Sequence, residues 1–211
     1  MDKSKDALKV SNYLLFDFAK ATAAIPSLLW FRPKIVYSSD AARKRLRGGV
    51  LVISNHCGFL DPVYLMMAIW YRRHHFVCLD TFFEGKFKRW LFSQFHCIPI
   101  NRENFSMFSL RSIIDALRAG RMVTMFPEGH ISTQKGIETF KSGMVLLAYQ
   151  SAKPILPVYI HPRKHWYSRL VVCIGEPMDV RSLIGEKASL SKFNQIAAEL
   201  EEKEKALSHQ V

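Results

Sequence analysis

The chain has 211 residues, enough for one domain with a substantial core, and its 49% hydrophobic and 23% charged residues are typical of a globular protein rather than a disordered one. Lysine and arginine outnumber aspartate and glutamate by 30 to 18, for a net charge of +12, so the expected partners are anionic: nucleic acid, anionic lipid or a phosphorylated substrate. The four cysteines are widely spaced and form no C-x-x-C pair, which excludes a disulfide framework or zinc pattern and favours a reducing compartment.

Residues 1–32 predict an amphipathic segment at a membrane interface. Apolar residues recur at helical spacing, charged side chains such as Asp17 and Lys20 interleave with them, and Pro26 is expected to break the helix into a hairpin. The uncharged stretch after Lys20 is far shorter than the ~20 residues needed to cross a bilayer, so we predict no spanning helix. Acidic residues lie among the basic ones at the start of the chain and no small-residue cleavage site follows a compact apolar run, so we predict no secretion signal. A helix packed on its own domain fits the same pattern equally well.

Residues 33–211 alternate β-rich runs with helical stretches and contain no repeat or linker, which predicts one α/β domain with a central mixed β-sheet flanked by helices. The predicted strands are 34–37, 50–54, 76–79, 97–100, 122–126, 155–160 and 170–174, and the predicted helices are 62–71, 86–95, 105–119, 143–151 and 192–207. The last helix carries the charged run AELEEKEK and is expected to be a solvated outer helix.

The run NHCGFLDP (55–62) follows a predicted buried strand and precedes a helix, and ligands bind at such strand ends in open α/β folds. An imidazole titrates near neutral pH, so His56 could take a proton from a hydroxyl group. Asp61 could orient the imidazole and stabilise the imidazolium that forms. Asp61 precedes a proline, however, and a helix N-cap is the structural alternative.

His75 and Asp80 repeat the same spacing within the run HFVCLD. These residues predict a strand, on which two residues five positions apart face opposite sides and lie roughly 16 Å apart. We therefore interpret this second pair as structural.

Three other predicted strand or helix ends carry residues suited to a polar substrate. FPEGHIS (126–132) places the carboxylate of Glu128 in a turn beside Gly129, which is free to adopt positive φ. IPINR (98–102) ends in Arg102, whose guanidinium is suited to bidentate phosphate binding. Lys141 lies at a helix start, where the macrodipole adds to the attraction for anions. Their joint occurrence predicts an anion-binding site.

NHCGFLDP, IPINR, FPEGHIS and ILPVYI, in this order, resemble the four sequence blocks of the glycerolipid acyltransferase family, which includes the 1-acylglycerol-3-phosphate acyltransferases. The resemblance covers roughly residues 35–177. It implies that His56 is the general base on the acceptor hydroxyl and Asp61 its orienting partner, and that the deprotonated oxygen attacks the thioester of acyl-CoA or acyl carrier protein.

The resemblance also implies that no metal, other cofactor or covalent acyl-enzyme takes part. It implies that Arg102 and Lys141 hold the acceptor phosphate, and that Glu128 and Gly129 shape the acceptor pocket. One departure concerns the head group: Ile131 stands where the family has an arginine that is associated with the acceptor phosphate.

The expected function is therefore acyl transfer to a lysophospholipid, with lysophosphatidic acid favoured, by an enzyme held on the cytoplasmic face of a membrane. Its partners would be membrane lipids and the acyl donor, and not nucleic acid. Another lysophospholipid or amphiphilic alcohol is an alternative acceptor. A basic nucleic-acid-binding module is disfavoured, because the lysines and arginines are scattered and no nucleic-acid motif is found. The intact His56–Asp61 pair argues against a catalytically inactive lipid-binding relative.

Overall fold

The computed structural model describes residues 13–101, 107–128, 140, 142–185 and 187–210. Within this part of the chain the helices are α1 (Leu14–Phe31), α2 (Asp61–Ala68), α3 (Lys86–Gln94), α4 (Met107–Arg118), α5 (Gly143–Ser151), α6 (Val180–Ile184) and α7 (Leu190–Ser208), with a 3₁₀ helix at Asp80–Phe83. The strands are β1 (Lys34–Tyr37), β2 (Val50–Ser54), β3 (His74–Leu79), β4 (Ile98–Ile100), β5 (Met122–Met125), β6 (Ile155–Ile160) and β7 (Val171–Ile174).

The strands form one mixed sheet in the order β1-β7-β6-β2-β5-β3-β4. The five strands from β6 to β4 run parallel to one another, whereas β7 pairs antiparallel with β6 and β1 runs parallel to β7. The predicted central mixed sheet flanked by helices is confirmed. Because β2, β5 and β3 are parallel neighbours, their carboxyl ends lie at the same edge of the sheet.

The core lies on both faces of this sheet. Strand β2 lies between β5 and β6 and is buried along its whole length, as expected for an interior parallel strand made of a continuous apolar run. Its side chains alternate between the two faces: Leu51 and Ile53 pack with residues of α4 to α7, whereas Val50 and Val52 pack with residues of α2. The sheet is therefore held rigidly at its centre.

Helix α1 is one continuous helix that includes Pro26, so the prediction that Pro26 breaks it into a hairpin is wrong. The helix contacts the domain near both of its ends: the ring of Phe16, which is 2% exposed, lies 6.0 Å from that of Phe95, and the ring of Phe31 lies 5.1 Å from that of Tyr64. These contacts offset the local cost of a proline within a helix.

The outer face of α1 is apolar and open. The large hydrophobic side chains exposed on it are Leu14, Phe18, Ile25, Leu28 and Leu29. By length and composition α1 is able to cross a membrane, with 18 residues and a mean hydropathy of 1.3, and 11% of this stretch is buried, unlike a core helix. This corrects the prediction that no segment is long enough, which counted only the uncharged residues after Lys20.

The predicted solvated outer helix is also corrected. Helix α7 buries one face, because Ile196, Leu200, Glu204 and Leu207 recur at helical spacing and point into the domain. Its lysines and other glutamates form surface pairs such as Lys205–Glu201, at 2.8 Å. The charged run thus describes only the outer face of α7.

Candidate active site

The chain that leaves β2 is anchored at once to the neighbouring strand. The side chain of Asn55 accepts a hydrogen bond from the Ile160 amide (2.7 Å) and donates one to the Ile160 carbonyl (2.9 Å), at the end of β6. The backbone amide of Asn55 donates a hydrogen bond to Glu204 Oε1 of α7, at 2.6 Å. All these groups are buried, so the turn that carries His56 begins from a fixed point.

His56 and Asp61 meet across this turn. His56 Nδ1 lies 2.8 Å from Asp61 Oδ2, and the same oxygen accepts hydrogen bonds from the backbone amides of Cys57 (2.6 Å) and Gly58 (2.8 Å). Asp61 is 1% exposed, and the three donors compensate its negative charge. Both backbone amides precede α2, which begins at Asp61. The partners of the carboxylate are those of an orienting group rather than those of a helix cap.

The imidazole is held on its face as well. The ring of Phe126 stacks on that of His56 with the centroids 4.1 Å apart and an angle of 15° between the planes. The register of the sheet explains this contact, because Ile53 of β2 pairs with Met125 of β5, and the residues after each strand lie side by side. The His56 side chain stays 18% exposed. Its second nitrogen, Nε2, makes no hydrogen bond to the described residues.

Buried acidic groups lie close to this turn. Glu128 is 8% exposed, and it contributes to the raised pKa values of both Cys57 and Glu204. Burial raises the pKa of the Cys57 thiol to about 12, with the Asp61 and Glu128 charges adding to the effect. Cys57 is therefore a neutral thiol and not a nucleophile. Burial also raises the pKa of Glu204 well above its ordinary range.

The second histidine–aspartate pair does not meet. His75 is the second residue of β3, is buried, and lies 3.3 Å through Nε2 from the Tyr13 hydroxyl, whereas Asp80 follows the strand and accepts a hydrogen bond from the Asn101 side chain (2.8 Å). Burial lowers the pKa of His75 to about 4. The two side chains have separate partners, as their placement on a strand predicts.

Of the six predicted site residues, the structure brings His56 and Asp61 into contact and buries Glu128 near them. Arg102, Gly129 and Lys141 lie outside the described residues, as does Ile131. The neighbours of Arg102 and Lys141 are described: Asn101 follows β4, and the amide of Phe140 donates to Glu201 of α7 (3.3 Å).

Sequence reasoning missed three residues of the site. Asn55 and Phe126 are the first letters of NHCGFLDP and FPEGHIS, so their motifs held the signal. Glu204 lies about 150 positions from His56 in the sequence, and its one signal was a glutamate four residues after Leu200 on an apolar helical face.

Comparisons with known proteins agree on one family. Residues 34–161 match the family model described as Acyltransferase. The 1-acyl-sn-glycerol-3-phosphate acyltransferase of Bacillus subtilis is 26% identical over 135 residues, which cover 62% of this chain and 67% of that protein. The probable 1-acyl-sn-glycerol-3-phosphate acyltransferase of Mycoplasma pneumoniae is 34% identical over 119 residues, or 53% and 44% of the two chains.

The protein of Streptococcus pneumoniae with the same activity in its name is 27% identical over 63% of this chain and 51% of its own. The chain thus spans about half the length of several curated relatives. Among solved structures, the 1-acyl-sn-glycerophosphate (LPA) acyltransferase PlsC from Thermotoga maritima has the same fold, with a TM-score of 0.64, 17% identity, and coverage of 96% of this chain and 84% of that one. Since the family model matches more than half of the chain and includes the turn that joins His56 to Asp61, the chain belongs to the acyltransferase family.

Proposed function

We propose that this protein transfers a fatty acyl chain from a thioester, acyl-CoA or acyl carrier protein, to the free hydroxyl of 1-acyl-sn-glycerol 3-phosphate, giving phosphatidic acid. The observation that carries this proposal is the 2.8 Å contact between His56 Nδ1 and Asp61 Oδ2, which leaves Nε2 without a hydrogen bond to the described residues on a side chain that is 18% exposed. The relatives named above are 1-acyl-sn-glycerol-3-phosphate acyltransferases, which supports this acceptor.

In the proposed mechanism Asp61 holds the Nδ1 proton of His56, so that Nε2 presents a lone pair to the acceptor hydroxyl. Nε2 takes the hydroxyl proton as the oxygen forms its bond to the thioester carbonyl carbon. The carbon–sulfur bond then breaks, and the imidazolium returns the proton to the leaving thiolate. General-base catalysis of this kind contributes ~10²–10⁴ in rate. This step needs neither a metal nor an acyl-enzyme, and the neutral Cys57 thiol is not suited to form one.

The acceptor phosphate would be held by Arg102 and Lys141, with Glu128 and Gly129 shaping the pocket. This assignment rests on the sequence motifs and on the position of Glu128 beside the His56 turn. Ile131, in place of the family arginine, favours another lysophospholipid as the second candidate acceptor. A nucleic-acid partner has no place in this proposal.

The membrane location is part of the proposal. Both substrates carry long acyl chains that partition into bilayers. An α-helix rises 1.5 Å per residue, so α1 is about 27 Å long, and it contacts the domain near both ends. A helix docked in this way lies along the domain with its apolar face outwards, which supports monotopic attachment rather than a crossing. The proposal places this attachment at the cytoplasmic face of a membrane.

The test compares His56→Ala with His165→Ala, a matched loss of an exposed imidazole elsewhere on the surface. His56→Ala should lower the turnover of lysophosphatidic acid at least ~10²-fold in a folded protein, and His165→Ala should not. A panel of lysolipids and both donor types, followed by product analysis, identifies the substrates. A fully active His56→Ala would refute the mechanism, and a folded wild-type protein that acylates no lysolipid would refute the function.

A further inference from the structure

A cavity lies at the edge of the sheet opposite to His56. It has a volume of about 460 Å³ and is bounded by α1, by the amino-terminal ends of β3 and β5, and by the residues that precede those strands. Strands of four to six residues separate the two edges by roughly 13–20 Å at ~3.3 Å per residue. This cavity is therefore distinct from the proposed acyl-transfer site.

The cavity is lined by four cationic side chains and one carboxylate among the described residues: Lys20, Arg72, Arg73, Arg121 and Asp17. Asp17 is already matched, because it forms a two-point ion pair with Arg73 (Nε–Oδ1 2.9 Å, Nη2–Oδ2 2.6 Å). Of the other three cations, Lys20 also interacts with the charge of Asp17, whereas Arg72 and Arg121 form no ion pair in the part of the chain that the structure describes.

Two of these cations are held in place by neutral groups. Lys20 Nζ donates to the Trp70 carbonyl and to that of Arg72 (3.1 Å), and the Arg72 guanidinium donates to the carbonyls of Leu46 (2.8 Å) and Gly48 (2.6 Å). Carbonyl oxygens orient a cation without neutralising it. Burial lowers the pKa of Lys20; the charge of Asp17 acts in the opposite direction, and the charge of Arg73 adds to the lowering.

Arg121 is the cation that is free to bind a ligand. It is half-buried, and its guanidinium makes no hydrogen bond to the described residues. It faces His75, whose pKa is lowered first by burial and then by the charge of Arg121. An anion in the cavity would offset the mutual repulsion of the cationic side chains that line it.

We propose that this cavity binds a phosphate group, with Arg121 as its free ligand and Lys20 and Arg72 as fixed cations. A guanidinium matches phosphate oxygens in a bidentate geometry. The surroundings favour the phosphate of an anionic phospholipid as the source. Helix α1 turns its polar residues to the cavity and its exposed apolar residues Leu14 and Phe18 outwards, so the cavity lies at the depth of the lipid head groups when that face meets a bilayer.

The test uses the full chain with Arg121→Gln, and Arg111→Gln as the matched control. Both variants lose one guanidinium. Arg111 is an exposed residue of α4, which packs on the sheet face opposite to α1, so its loss leaves the cavity unchanged. Co-sedimentation is measured with phosphatidylcholine vesicles with and without phosphatidylglycerol, at constant ionic strength. Arg121→Gln should lower the binding constant for anionic vesicles about tenfold, more than the roughly fivefold of one unspecific surface charge, and Arg111→Gln should lower it less than twofold. Arg121→Lys should restore part of the loss.

A second arm measures the midpoint of thermal unfolding in inorganic phosphate against chloride, because a ligand that binds the folded state raises this midpoint. A response to vesicles alone identifies a lipid head group, and a response to inorganic phosphate identifies soluble phosphate as a source. Circular dichroism confirms that each variant is folded. If Arg121→Gln matches Arg111→Gln in both arms, or if it binds anionic vesicles and responds to inorganic phosphate as the wild type does, the phosphate site is refuted.

Discussion

Asp61 concentrates its hydrogen bonds on one oxygen. Oδ2 faces His56 Nδ1 and the amides of Cys57 and Gly58, so one atom fixes both the imidazole and the backbone of the turn that carries it. Phe126 limits rotation of the ring from the other side. Positioning of this kind matters because an imidazole works as a base only when its free nitrogen points at the acceptor hydroxyl.

Asp61→Asn tests this arrangement. The amide oxygen can still accept the two backbone hydrogen bonds, but the side chain loses the charge that stabilises the imidazolium. We expect kcat to fall at least ~10²-fold with little change in KM or in the free energy of unfolding, measured by steady-state kinetics and by denaturant titration. If Asp61→Asn instead lowers the free energy of unfolding so far that the loss of activity follows from unfolded protein, Asp61 is a structural group.

At the scale of elements, α7 holds the start of the catalytic turn through one buried hydrogen bond. Glu204 lies within the core, and its Oε1 accepts the amide hydrogen of Asn55, the residue before His56. The pKa of Glu204 is raised mainly by burial, with the charges of Glu128 and Glu201 adding to the effect. The helix thus places a carboxyl group that favours its neutral form next to the catalytic turn.

This placement predicts a pH-dependent stability. A carboxyl whose pKa is raised on folding stabilises the folded state fully below its ordinary value of 4.5, and this contribution is lost as pH rises towards the raised value. Glu204→Gln keeps the acceptor and removes the ionisation. We expect its free energy of unfolding to exceed that of the wild type increasingly as pH rises above about 4.5, in denaturant titrations at several pH values.

Glu204→Leu is the companion variant. It leaves the buried Asn55 amide without an acceptor, at a cost of about 1–3 kcal/mol, and should also lower kcat, whereas Glu204→Gln should retain activity. Parallel stability curves for wild type and Glu204→Gln across this pH range would show that folding does not raise the pKa of Glu204, and would refute the prediction.

The sequence predicted the strands well, because the signal for a buried strand is a continuous apolar run of neighbouring residues. β1, β2 and β6 have the predicted bounds, and so does α5. The errors came where tertiary contacts outweigh local preference. Pro26 is tolerated inside α1, whose ends are docked on the domain, and α7 is buried on one face despite its charged run.

The same contrast applies to the site. His56 and Asp61 share one turn, so their spacing predicted their contact. The contact of Phe126 with His56 depends on the pairing of β2 with β5, and that of Glu204 with Asn55 depends on how α7 crosses the sheet. Such contacts join residues 70 to 149 positions apart, and no local pattern encodes them.

On the scale of the whole molecule, helix α1 gives the domain one apolar side. The helix lies along the domain, with Phe16 buried inwards and Phe18 and Leu29 exposed by 67% and 74%. Water is a poor environment for such a face, and a bilayer interface is a good one. The division into an interface segment at 1–32 and a catalytic domain at 33–211 remains a prediction, and the two faces of α1 allow it to be tested.

We predict that Phe18→Glu combined with Leu29→Glu leaves the fold intact and weakens binding to phosphatidylcholine vesicles at least ~tenfold, because two apolar side chains no longer enter the interface. Neutral vesicles separate this effect from the charge-dependent binding expected at Arg121.

Leu183→Glu combined with Leu190→Glu is the matched control, since both residues are exposed apolar positions on α6 and α7. Phe16→Glu should unfold the protein, because it buries an unpaired charge. Co-sedimentation measures vesicle binding, and circular dichroism on the same samples measures whether each variant is folded. Should the outer-face variant stay folded and bind vesicles as the wild type does, α1 is not the membrane anchor, and should it unfold, that face packs on the protein itself.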